Sequence, residues 1–374
     1  MNQEVEMTNP MFFAGLDQHH RMTRLIVIDG NEEILQDESI HHQNQAQVGA
    51  ELRRLIPPGA RVAVEATGFW YWMCDLLEDL GYEVILVHSK EVAEIAKSKK
   101  KTDRKDAFIL AKLAKDGRLH AAYRMPREAR PLRDLLRHRM GLVEQRTHAK
   151  NQTHAILHKY GIWHDFSDLF TVQGDAFLEG LDLPIPVRYI LNNLRALIRS
   201  LKAQVRDTER EILALMPEDE VIRLLKAIPG IGDLLARVIR YEIWDISRFE
   251  TFKEFKSYIG VAPATWQSAE SLRHGSITKQ GNLYVRWAII EAAQRVSGKY
   301  PYLEHKFRKM AKRKGRAKAR VAVAADLLQA VYFVWKRREP FRPKPAPKLQ
   351  LRLIQKKEKA SNPEGPVSPG VVMV

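Results

Sequence analysis

Short apolar runs interrupted by polar turns open the chain. Phe12-Phe13-Ala14-Gly15-Leu16-Asp17, Arg24-Leu25-Ile26-Val27-Ile28 and the weaker Glu33-Ile34-Leu35 predict three strands in an antiparallel meander. A helix over about 45–55 ends at Pro57-Pro58-Gly59, and Arg61-Val62-Ala63-Val64-Glu65-Ala66 follows as a buried strand. A helix over about 70–80 stops at Gly81, Glu83-Val84-Ile85-Leu86-Val87-His88 reads as another strand, and helical sequence continues through Asp116-Gly117. The order is βββαβαβα, which predicts an α/β unit: a mixed sheet covered by helices.

From about 127 to 216 the pattern changes. Leu132, Leu135 and Leu136, then Ile190, Leu191, Leu194, Leu197, Ile198 and Leu201, recur at the three-four spacing of long packed helices or a coiled coil. The stretch over 161–186, rich in aromatics, Gly and Pro, turns the chain between two such helices, so an antiparallel helical arm is expected. A mainly helical third unit follows. It includes 307–320, with eight basic residues in fourteen and no acid, and an apolar helical stretch, Val321 to Trp335. The end of the chain is rich in Lys and Pro without apolar periodicity and reads as disordered. The expected divisions are 1–122, 123–220 for the arm, 221–342, and a 343–374 tail.

Charge narrows the choice of partner. With 61 Lys and Arg against 45 Asp and Glu, the formal charge is +16, which favours a polyanion through phosphate contacts and counterion release. A membrane surface would also attract such charge, but no run of about 18 apolar residues and no signal peptide is visible, so no membrane association and a cytoplasmic location are expected. Cys74 is the only cysteine, which excludes intrachain disulfides and cysteine-rich zinc sites. Any metal must bind oxygen or imidazole.

Four carboxylates stand out. Asp17 lies in an apolar strand, where an unpaired charge is costly, and Glu65 is the lone acid ending Val62-Ala63-Val64. Asp103 and Asp106, three apart, share one face of a helix. In this element order the first strand, a later central strand and the following helix can converge at one sheet edge. Hard oxygen ligands suit Mg²⁺ or Mn²⁺, and such ions act on phosphodiesters. Asp103 and Asp106 also fit the plainer role of first-turn acids behind a Thr102 cap. The flank Lys97-Ser98-Lys99-Lys100-Lys101-Thr102-Asp103-Arg104-Lys105 sets bases beside the two acids, making Lys99, Lys100, Lys101, Arg104 and Lys105 candidates for backbone phosphates. The alternative is a solvated charged loop.

Two motifs mark the C-terminal part. Leu225-Lys226-Ala227-Ile228-Pro229-Gly230-Ile231-Gly232 joins two helical patterns and resembles a helix-hairpin-helix, whose Gly230 and Gly232 would let backbone N–H groups approach a phosphate. Tyr258-Ile259-Gly260-Val261-Ala262-Pro263 leads to Gln267-Ser268 and then to Gly275-Ser276-Ile277-Thr278-Lys279-Gln280-Gly281-Asn282 and Arg286. Ser268, Ser271 and Ser276 compete as nucleophiles, with Lys279 and Arg286 available to stabilise charge.

Gly15-Leu16-Asp17, Val64-Glu65-Ala66-Thr67-Gly68, Lys101-Thr102-Asp103-Arg104-Lys105-Asp106-Ala107, Ile228-Pro229-Gly230-Ile231-Gly232 and Gly275-Ser276-Ile277-Thr278-Lys279-Gln280-Gly281-Asn282 occur in one order. Together they resemble the DEDD-type insertion-sequence transposases. The resemblance implies a ribonuclease H-like, Holliday-junction-resolvase-like N-terminal domain, a coiled-coil arm and a C-terminal transposase domain. It implies RNA-guided recombination of an element with its target DNA in the cytoplasm of a prokaryote, on the nucleoid when acting. The acting species would be a homo-oligomer, dimer or tetramer, whose sites combine carboxylates and serine from different subunits. Carried over by motif, Asp17, Glu65, Asp103 and Asp106 are the metal-binding tetrad, with Mg²⁺ or Mn²⁺ as cofactor. Ser268 is the nucleophile, chosen because it follows the Gly-x-x-Pro segment and lies seven residues before Gly275. Ala269 stands where the family commonly has glycine, which keeps Ser271 in reserve. Gln18-His19-His20 after Asp17 is unusual, and its histidines read as exposed loop residues rather than ligands. Two other functions compete: a metal-dependent structure-specific nuclease (a junction resolvase), which needs the tetrad but not Ser268, and a nucleic-acid-binding protein with a decayed site.

Overall fold

The computed structural model describes residues 12–88, 102–117, 121–261, 281–296 and 300–343, together with the backbone of two strands within 263–277. It divides into two compact units, one ending at Arg127 and one beginning at Glu128. The tail beyond residue 343, like Lys99, Lys100, Lys101, Lys279 and the side chains of Ser268, Ser271 and Ser276, lies outside the described residues.

In the N-terminal unit the meander forms strands β1 (Phe12–Gln18), β2 (Met22–Asp29) and β3 (Ile34–His41). Helix α1 (Gln45–Leu55) starts where the Asn44 side chain accepts a hydrogen bond from the Gln47 N–H. Strand β4 (Arg61–Glu65), helix α2 (Trp70–Asp79), strand β5 (Glu83–Val87) and helix α3 (Asp103–Asp116) complete the unit. The sheet order is β3-β2-β1-β4-β5, antiparallel through the meander and parallel from β1 to β4 and β5. β3 runs eight residues rather than the three its apolar run predicts. Its middle, Gln36-Asp37-Glu38-Ser39, is polar because it is an edge strand, and polar edges resist unwanted pairing.

Side-chain alternation along β1 builds three layers. Ala14 and Leu16 join Leu25, Val27, Val62 and Val64 under α1 and α2, with the buried Cys74 among them. Phe13 faces the opposite way and packs with Ile26, Ile28, Ala63 and Val87 under Ala107, Leu110, Ala111 and Ala114 of α3. Gly15 shares this second face. A Cβ there would lie 2.0 Å from the Ala107 carbonyl oxygen and 2.4 Å from the Ala111 nitrogen, so α3 rests directly on the β1 backbone.

The second unit is built on an antiparallel helix pair, α4 (Arg130–Lys159) and α6 (Ile185–Leu215), with α5 (Val172–Gly180) between them. Contacts run in opposite directions along the pair: Arg139 bonds Glu209, Leu142 packs with Leu201 and Val205, and Leu157 shares a cluster with Leu191 and Leu194. Pro131 and Pro186 occupy first turns, where proline's missing N–H leaves no helix bond unmade. Helices α7 (Glu220–Lys226), α8 (Asp233–Ile243), α9 (Phe252–Ile259), α10 (Leu283–Val296), α11 (Pro301–Lys314) and α12 (Arg316–Arg337) form a helical body with one large apolar core. Between α9 and α10, strands β6 (Pro263–Ser268) and β7 (Ser271–Ile277) pair as an antiparallel hairpin. The basic stretch over 307–320 is divided between α11 and α12 at Gly315, whose φ is +85°.

Candidate metal centre and nucleic-acid surfaces

Asp17 and Glu65 reach one edge of the sheet through register. Gly15 pairs with Ala63 and Leu16 with Val64 in the parallel β1–β4 ladder, so Asp17 and Glu65 come next in step on the face that carries α3. α3 begins over the same edge. The Thr102 hydroxyl caps it by accepting from the Lys105 N–H, which puts Asp103 and Asp106 in the first turn. The two acids are first-turn residues, as the plainer reading has it, and their charges also act on Asp17. Asp106 and Asp17 are each only 5% exposed, Glu65 is half-buried and Asp103 is exposed.

The electrostatics of Asp17 reflect this crowding. Burial pushes its carboxyl above the ordinary carboxylate range; His19 pulls it down, and the charges of Glu65, Asp103 and Asp106 push it up again. The register partner of Asp17 on β2 is Arg24, but that guanidinium turns to Asp37 and to the Ser39 hydroxyl at 2.8 Å. His19 is the neighbour that sequence alone sets aside. Its Nε2 lies 3.2 Å from Asp17 Oδ2 and 3.4 Å from Asp103 Oδ2. One ligand atom each from Asp17, His19 and Asp103 falls within 4.8 Å of the others, close enough to share one cation. The neighbouring Gln18 points to the other side of the sheet, where its amide donates to the Phe69 carbonyl at 3.2 Å and ties β1 to the loop after Glu65.

The predicted phosphate contacts divide by surroundings. Lys105 is exposed, whereas Arg104 is paired with Asp37. In the second unit, the segment predicted as a hairpin turns the chain between α7 and α8. Gly230 takes φ +80°, and a Cβ there would meet the Ala292 carbonyl oxygen at 2.4 Å, so this glycine also serves the packing of α10. Gly232 precedes α8, whose first turn carries Asp233, bonded to Lys226 at 2.8 Å and Arg237 at 3.2 Å. Arg286 bonds the Ile259 carbonyl at 3.0 Å, and burial lowers its pKa. Ser268 and Ser271 are register partners across the hairpin, so the backbone does not choose between them. An open positive surface among the described residues lies around Gly315. There Lys309, Lys312, Arg313, Lys314, Arg316 and Lys318 are exposed and make no ion pair among the described residues.

Two family models match this chain. One, of the DEDD type and described as a transposase, covers residues 14–162, which hold the four carboxylates and His19. The other, described as the transposase IS116/IS110/IS902 family, covers residues 222–322, which hold the hairpin serines Ser268, Ser271 and Ser276. The chain is 26% identical over 292 residues to a probable family 20 transposase of Pseudomonas aeruginosa, covering 75% of this chain and 83% of the relative. It is 24% identical over 294 residues to the transposase for insertion sequence element IS1111A of Coxiella burnetii, covering 75% and 79%. A pilin gene-inverting protein of Moraxella bovis is 28% identical over 287 residues, covering 74% and 80%.

Proposed function

The chain belongs to the IS116/IS110/IS902 family of transposases, and from that premise we propose that it cuts and rejoins DNA with the carboxylates Asp17, Glu65, Asp103 and Asp106 and a nucleophilic serine, Ser268. The observation that carries this reading is the convergence of four carboxylates, from two adjacent parallel strands and one helix start, on a single sheet edge. A mixed sheet ordered 3-2-1-4-5 with helices on both faces fits a ribonuclease H-like domain.

The donor set fits a divalent ion. A buried acid surrounded by three like charges needs a cation to stay ionised, and carboxylate oxygens suit Mg²⁺ or Mn²⁺. When bound, such an ion supplies positive charge to a phosphodiester oxygen. The chain's own residues do the placing. Asp17 and Asp106 form the buried floor, Glu65 closes one side, and Asp103 with His19 forms the solvent-facing rim. The Ser268 hydroxyl attacks phosphorus and releases a deoxyribose hydroxyl, which takes up a proton. A hydroxyl of the partner strand then displaces the serine, so phosphodiester number is conserved and no water is consumed.

DNA and a guide RNA both bind through phosphate charge, and the exposed bases around Gly315 suit either. The reading includes a homo-oligomer in which one subunit supplies carboxylates and another the serine. The test is strand exchange on element-end and target DNA by Ser268→Ala, Ser271→Ala and Asp106→Asn proteins, with denaturing-gel detection of a protein–DNA adduct. Loss of adduct and exchange in Ser268→Ala alone among the serine variants supports the assignment. Full exchange by Ser268→Ala overturns it, and nicking without rejoining by the parent protein supports a structure-specific nuclease instead.

A further inference from the structure

A buried carboxylate outside the tetrad lies beneath the root of the hairpin. Glu242, on α8, is 1% exposed. Its Oε1 and Oε2 accept from Arg137 Nε at 2.6 Å and Arg137 Nη2 at 2.8 Å, a two-pronged pair with the arm helix α4. Oε2 also accepts from Asn282 Nδ2 at 2.8 Å. Because the amide nitrogen of Asn282 is held there, its oxygen faces the start of α10, where it accepts from the Tyr284 and Val285 N–H groups at 3.0 and 2.9 Å. The Arg137 guanidinium covers the Tyr284 ring, 4.5 Å from its centre.

Asn282 is also where the chain returns from the hairpin. Its backbone N–H donates to the Tyr258 carbonyl at 2.9 Å, joining the segment that enters the hairpin to the segment that leaves it. Gly281 makes this approach feasible: its φ is +108°, and a Cβ there would lie 2.1 Å from the Tyr258 oxygen. Arg286 adds a second stitch to Ile259. The two feet of the β6–β7 hairpin are thus fastened to each other, and the foot at Asn282 is oriented by Glu242, which is clamped in turn by the arm helix.

An apolar side chain would fill the Glu242 position at less desolvation cost, and a buried ion pair is weak support for stability. It fixes direction, since each partner accepts only one arrangement of donors and acceptors. We propose that Glu242 is a positioning residue of the recombination reaction: through Asn282 it sets the orientation of the serine-bearing hairpin and links that orientation to the arm helix at Arg137. The inference rests on the serine reading above.

The experiment uses the full-length protein and four variants: Glu242→Gln, Asn282→Asp, the double variant, and Ser268→Ala/Ser271→Ala. Asn282→Asp keeps the helix cap but sets a carboxylate against Glu242. The double variant reverses the bond, since the amide introduced by Glu242→Gln can donate to the new carboxylate. Strand exchange, amide hydrogen exchange over 263–277 and melting temperature are measured on each. Each single variant is expected to slow strand exchange by about 30-fold or more, approaching the roughly 100-fold cost of a displacement near 1 Å, and to speed hairpin amide exchange. The double variant is expected to recover both. The idea is overturned if the single variants retain exchange and hairpin protection within a factor of about three, or if activity falls with melting temperature and the double variant recovers neither. If Ser268→Ala/Ser271→Ala keeps full strand exchange, the serine reading fails separately, and hairpin protection still decides whether Glu242 holds the hairpin.

Discussion

Replacing Gly15 with alanine tests the packing that creates the carboxylate site. The new Cβ would lie 2.0 Å from the Ala107 carbonyl oxygen, and real Cβ contacts below 3.0 Å essentially do not occur. The two nearest obstructing atoms, on Ala107 and Ala111, are backbone, and the third, Leu110 Cβ at 2.9 Å, is fixed to it, so no flexible side-chain end can swing aside. α3 must therefore withdraw by about 1 Å or more, carrying Asp103 and Asp106 with it, while Asp17 stays in the β1 ladder. Overpacking of this kind destabilises by about 1–3 kcal/mol. A displacement of about 1 Å in a constellation that holds reacting groups lowers the rate by roughly 100-fold. Gly30→Ala is the matched control, because a Cβ at Gly30 meets nothing within 4 Å and Gly30 follows β2 at the end of the β1–β2 ladder away from Asp17. Chemical denaturation of both variants, with strand exchange at saturating Mg²⁺, gives the comparison. If Gly15→Ala matched Gly30→Ala in stability and rate, the close seating of α3 on β1 would not be what assembles the site.

Three other perturbations follow from the same geometry. Because Asp17 holds its proton to higher pH when folded than the ordinary 3.8, the folded state binds more protons in the interval above that value. Stability without metal therefore declines as pH rises through that interval, and Asp17→Asn should melt higher than the parent at pH 7 in EDTA while losing strand exchange; an unchanged or lower melting temperature contradicts the charge-crowding account. His19→Asn should weaken Ni²⁺ binding, read by calorimetry, by about 10-fold or more and Mg²⁺ binding much less, since imidazole suits the former and oxygen the latter. Equal loss for both ions would count against His19 as a donor. The Lys312→Ala/Arg313→Ala protein should bind DNA of any sequence more weakly and show a salt slope shallower by about two; an unchanged slope would place the phosphates elsewhere.

Much of the N-terminal architecture is legible in local pattern. Alternation in Phe12 to Asp17, the breaks at Pro57-Pro58-Gly59 and Gly81, and the Thr102 cap each act over a few residues, and within the described residues the predicted elements form. β3 reads short in sequence because its polar middle lacks an apolar face, an edge strand's feature that only sheet order explains. His19 reads as a solvent-facing loop residue, and nothing local distinguishes it from His20. It lies between Asp17 and Asp103 because the β1–β2 turn and the start of α3, more than 80 residues apart in sequence, meet above one sheet edge.

The C-terminal residues show the same division. Arg286 carries a formal charge that suggests phosphate, and the structure shows one N–H of its half-buried guanidinium bonded to the Ile259 carbonyl, a tie between α10 and the end of α9 that its charge alone does not suggest. Glu242 gives no sequence signal, being one acid in an amphipathic helix; its burial and its bonds to Arg137 and Asn282 come from positions 105 and 40 residues away. The sequence by itself determined most helices and strands, though not the length of β3 or the β6–β7 hairpin, together with the excess of positive charge and which acids lie on which element, because periodicity, caps and composition are short-range properties. Tertiary structure alone decided which charges meet, which are buried and which are already paired, because those depend on register and on glycine-permitted contacts between segments distant along the chain.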